Sequence, residues 1–175
     1  MTPLAQWQNF YMIVGSSAGA LIGLQFVVLA LVANMPRSAP LAESGRTYST
    51  PTIVHFAAVL FLAAALSAPW NCALPVAIVC GTGGLAGLVY AIVIAAQLRN
   101  AAYQPEFEDW VFHGVLPILA YGALLGSACL AMQQFALSLY GVAAVILVLL
   151  VIGIHNAWDS VTYHVFVKGP EPGDH

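Results

Sequence analysis

Four side chains in this sequence combine a type suited to chemistry with a place near the end of an apolar run: His55, His113, His155 and Asp159. Imidazoles titrate near neutral pH and ligate zinc or iron, and a carboxylate adds charge or a further ligand. His155 and Asp159 are four apart, so on a helix they share a face. Laid out as membrane spans, the chain brings Arg99, Asn100, Asn156 and His164 to a similar depth, at one mouth of a bundle. Such a cluster would hold a metal or a haem, or would move protons. A plainer reading competes with it, because amphipathic residues favour the headgroup level, where water satisfies them. No close-spaced ligand motif such as HExxH supports a metal. If a metal binds, its ligands are expected to be His55, His113, His155 and Asp159.

Other motifs carry less. Cys72, Cys80 and Cys129 fall towards the opposite face, and without a CxxC pair they read as small apolar packing residues. GTGGLA, from Gly81 to Ala86, fits a dinucleotide fingerprint in form only. The apolar run continues past it, and no acid follows at the distance that would hold a ribose. Deep polar groups are neutral: Ser16, Ser17, Gln25, Ser67, Thr82, Tyr90, Tyr121 and Ser127. Gln25 stands out as a mid-depth amide, with an interhelical hydrogen bond as its expected role.

The elements that must position these groups are membrane helices. Of 175 residues, 61% are hydrophobic and 6% charged, against about 25% charged in soluble domains. Lys and Arg number four, which excludes a nucleic-acid footprint. Five apolar segments reach the roughly 20 residues a bilayer needs: Trp7–Asn34, Thr52–Pro69, Val76–Arg99, Trp110–Met132 and Leu137–Ile154. The stretch from Pro36 to Thr50 reads as a polar loop, with Thr50 and Pro51 opening the second helix. The last helix is expected to run on to about Phe166. MTPLAQWQNF lacks the positive n-region of a cleavable signal, so the first helix is expected to be retained.

Arg37, Arg46, Arg99 and Lys168 share one side of a five-span layout, which places the N-terminus outside and the C-terminus in the cytoplasm. Residues 1–168 are expected to form one bundle and 169–175 a short disordered tail. Laying His55 on His113 aligns the runs that follow, suggesting one helix plus two tandem helical hairpins. Gly15, Gly19 and Gly23 form a stripe for close helix packing, as do Gly83 with Gly87 and Gly122 with Gly126.

The expected protein is therefore an all-α integral membrane bundle, in the plasma (inner) membrane of a bacterium, associating with copies of itself. No Asp, Glu, Lys or Arg stands mid-span, which favours a passive channel over an ion-coupled transporter. Second comes an enzyme, or a metal- or haem-binding protein, working at the cytoplasmic mouth. Third comes a non-catalytic subunit of a larger membrane complex.

Overall fold

The computed structural model describes residues 3–33, 41–99 and 107–162, with 32–33 and 41–49 described by backbone alone. Residues 1–2, 34–40, 100–106 and 163–175, Asn100 and His164 among them, lie outside the described residues. The described chain is helical and has no strand. A 3-10 turn, Pro3–Trp7, leads into α1, Gln8–Ala33. Then come α2, Leu41–Leu66, and α3, Ala73–Arg99. A short α4, Phe107–Trp110, passes through a π turn, Val111–Val115, into α5, Leu116–Ala131. The last helix, α6, is Phe135–Thr162.

Apolar runs this long take up helix because a helix satisfies every backbone polar group within its own segment. Four stretches are long and apolar enough to cross a membrane: Pro3–Leu31, Ala73–Arg99, Phe107–Ala131 and Phe135–Thr162. A fifth, Thr50–Leu66, is apolar but shorter. Here one expectation is corrected. The second helix begins at Leu41, and Pro51 lies inside it. Leu41, Ala42 and Glu43 are good helix formers. A proline inside a helix costs a hydrogen bond and bends the rod, but need not end it.

The π turn has a local cause. Pro117 has no N–H, and its ring would clash with the carbonyl of His113 four residues earlier. The wider turn relieves that clash, with the Leu116 N–H donating to the Val111 carbonyl five residues back. His113 sits at the centre of the turn.

α2, α3, the α4–α5 rod and α6 close into a ring, with α1 outside it against α2. Consecutive helices run antiparallel, and the T-shaped contact of Trp7 with Tyr140 shows that α1 and α6 begin at the same end. That end also holds the turns at 67–72 and 132–134; it is called the turn end, and the other the Arg99 end. Gly84 against Leu125, Gly87 against Tyr121 and Gly114 against Ala95 set the α3–rod register. Gly153 against Phe56 sets that of α2 and α6. The two registers correspond, because the offset from His55 to His113 carries Phe56 to Gly114 and Gly153 back to Ala95.

Within one chain the glycines pack unevenly. A Cβ at Gly15 would stand 3.0 Å from the Ala63 Cβ, so α1 and α2 meet closely there. At Gly19, Gly23, Gly122 and Gly126 it would meet nothing within 4 Å. The reason is helical phase. Residues four apart drift by about 40° per step on a turn of 3.6. The buried face of α1 instead follows Tyr11, Val14, Ala18 and Gln25, spacings that stay in phase. A Cβ at Gly83 would lie 3.8 Å from Leu62, in ordinary contact, and the tight glycines of α3 are Gly84 and Gly87.

A polar cluster at the Arg99 end

The cluster is organised around Tyr121. Its ring fills the space that a Cβ at Gly87 would need, so the glycine in α3 is what lets this side chain cross the bundle. The Tyr121 hydroxyl then reaches His55 on α2, with Oη 3.0 Å from Nδ1 and both residues buried. The hydroxyl donates to a bare Nδ1 or accepts from a protonated one, as the tautomer dictates. Leu62 against Gly83 puts Tyr90 of α3 level with His55, and Tyr90 lies near Tyr121. The Tyr90 hydroxyl is shielded and has no hydrogen-bond partner among the described residues.

A second layer lies one to two turns closer to the Arg99 end. Gly153 on Phe56 brings Asn156 level with Thr52 and Ile53, and Ser127 on Gly141 brings it level with Phe112 and His113. Thr52, His113 and Asn156 are all buried. Gly15 on Ala63 places Gln25, also buried, at the same level, nearer this end than its sequence position suggests. His113 interacts with the Asp109 backbone one turn earlier, and is close enough to His55, His155 and Asp159 to feel their charges. Asn156 is different: it is 1% exposed, and neither side-chain atom has a partner among the described residues. Such an orphaned buried group costs about 1–3 kcal/mol.

The outermost layer opens to the surroundings. His155 Nδ1 is 3.0 Å from Asp159 Oδ2, with side-chain exposures of 28% and 47%. The His155 ring stacks on Phe112 with centroids 3.5 Å apart and planes within 2°. The stack fixes the ring plane, and the Asp159 carboxylate lies beside Nδ1 without hydrogen-bond geometry.

The structure thus brings His55, His113, His155, Asn156 and Asp159 to one end of one bundle. Arg99 is exposed at that end and forms no part of the cluster. Among the described residues no three His, Cys, Asp or Glu are grouped to hold a metal ion. His55 commits Nδ1 to Tyr121. All three cysteines are free, with Cys80 buried. Several other deep polar groups bond to their own helices: Ser17 to the Ile13 carbonyl, Thr82 to Ile78, Ser127 to Ala123. Thr52 and the two tyrosines are the site members that residue type alone does not single out, since their role depends on register.

No family model, curated protein or solved structure matches this chain.

Proposed function

We propose that the chain crosses a bacterial inner membrane five times, as one helix plus two tandem hairpins, and works at its cytoplasmic mouth. There it takes a small polar molecule from the aqueous side and holds it among His113, Asn156, His155 and Asp159, with the last pair exchanging protons. The one-sided placement of Arg37, Arg46, Arg99 and Lys168 supports the orientation, N-terminus outside and C-terminus in the cytoplasm. The observation that carries the reading is the uneven interior. Among the described residues, cross-helix side-chain hydrogen bonds stop at the His55–Tyr121 pair, and beyond it the bundle is filled by residues such as Val59, Leu62, Leu124 and Ile146. A polar mouth backed by an apolar interior suits binding better than passage. Native mass spectrometry of the protein in lipid nanodiscs, challenged with pools of amines, amides, sugars and organic acids, should show a one-to-one adduct that Asp159→Ala weakens. A cysteine at position 159 should be labelled by an impermeant maleimide from the cytoplasmic face alone. No adduct from any pool, or labelling from the outside, overturns the proposal.

A second reading keeps the passive channel. Its support is the open surface at Gly19 and Gly23, where copies of the chain could pack and form a route between them. On that reading Gly19→Leu lowers the particle mass in detergent and abolishes potassium or chloride flux into liposomes. On the first reading wild-type liposomes show no flux above protein-free controls, and Gly19→Leu, which has room for its side chain, leaves the fold intact.

A further inference from the structure

We infer that Asn156 determines what the mouth accepts: its orphaned amide binds a small neutral solute that presents a donor and an acceptor side by side, as an amide does. This rests on the reading of the mouth as a ligand site and names the ligand's class. The amide is 1% exposed, and neither its oxygen nor its nitrogen has a partner among the described residues. Buried polar side-chain groups are hydrogen-bonded in the large majority of cases, so each exception calls for an explanation.

Packing does not supply one. The offset that relates the two registers carries Asn156 back to Leu98 on α3. Leu98 is a residue of similar bulk, itself buried and wholly apolar. The fold therefore tolerates a hydrocarbon at this place in one hairpin, and the amide in the other has another use.

The chemistry of the amide selects the partner. Asn offers two N–H donors and one carbonyl acceptor, so a ligand meets it fully only by presenting both functions. A carboxylate would satisfy the N–H groups and leave the Asn156 carbonyl unmet, against a second negative charge at Asp159. An ammonium would satisfy the carbonyl and strand the N–H groups. The amide is shielded as the helices stand, and the partly exposed His155–Asp159 pair, which begins one residue away, is the side from which a solute would have to enter.

The test uses full-length protein labelled with nitrogen-15 at asparagine, in lipid nanodiscs, with acetamide as probe. The Asn156 side-chain resonance, identified by its loss in Asn156→Leu, should shift with saturable acetamide dependence. Acetamide should raise the unfolding temperature of wild type, and its apparent affinity should fall at least tenfold in Asn156→Leu. Sodium acetate at the same concentration should leave the resonance in place. Three results overturn the inference: a resonance moved by acetate and not by acetamide, a cross-peak to water that acetamide does not displace, or no response to either. Should Asn156→Leu fail to fold, the wild-type titration decides alone, with the resonance assigned through Asn156→Gln. An adduct from the organic-acid pool would overturn this inference while leaving the mouth a binding site.

Discussion

The two ends of the bundle solve the same problem in opposite ways. At the turn end, buried serine hydroxyls are satisfied by their own helices. Ser127 donates to the Ala123 carbonyl and Ser138 to that of Phe135, while the buried Tyr11 hydroxyl has no hydrogen-bond partner among the described residues. Packing alone joins the helices there, through residues such as Leu66, Val76, Leu124 and Leu139. At the Arg99 end, α2 and α5 are joined by the His55–Tyr121 hydrogen bond, and the rod and α6 by the Phe112–His155 stack. One amide there is left unmatched. The contrast separates anchor from site. Groups that a helix satisfies by itself need no partner and define no chemistry, whereas groups that depend on a neighbouring helix fix both a geometry and a use.

The contrast is most sharply tested where the largest loss is expected. Leu124 is fully buried at the turn end, and Leu124→Ala should cost about 2–5 kcal/mol in reversible unfolding in bicelles, since a cavity there has nothing to fill it. A loss below ~1 kcal/mol would mean that the apolar end is not the anchor. Next comes Gly87→Ala, whose methyl would overlap the Tyr121 ring and should cost about 1–3 kcal/mol while disturbing the contact with His55. Gly126→Ala is its control: with open space at the Cβ, it should stay within about 0.5 kcal/mol of wild type. Equal effects at the two glycines would remove Tyr121 from the centre of the cluster. The smallest effect belongs to His155→Ala. Its partner Asp159 is largely exposed, and such pairs contribute roughly 0–1 kcal/mol. A larger loss would show that the Phe112 stack, rather than the ion pair, holds α6 to the rod.

Much of this fold is readable from apolar runs, because helices in hydrocarbon are set by length and composition. The start of α2 is not. Glycine and serine in Leu41–Thr50 read as loop, and Pro51 mimics a helix start that the backbone passes through. The glycine spacing does not tell which of these residues meet a neighbour within the chain, since only a mixed three-and-four spacing stays in phase over several turns. At the site, residue type points to His55, His113, His155 and Asp159 and helical spacing gives the His155–Asp159 pair. Tyr121 shows in the sequence only as one of several deep polar groups, since its contact with His55 depends on a glycine 34 positions earlier lying opposite it. The orphaned state of Asn156 is likewise a property of packing that no local pattern encodes.

The π turn at Val111–Val115 bears on how such a site can arise. It holds one residue more than an α-helix would need to join the same flanks. Deleting a single residue there would restore a continuous α-helix and leave α5 on its neighbours. Everything upstream, Asp109 and Trp110 included, would rotate by about 100°. A one-codon insertion is therefore enough to turn the side chains of a settled packing helix towards a new partner, at a place where Pro117 already weakens the α geometry.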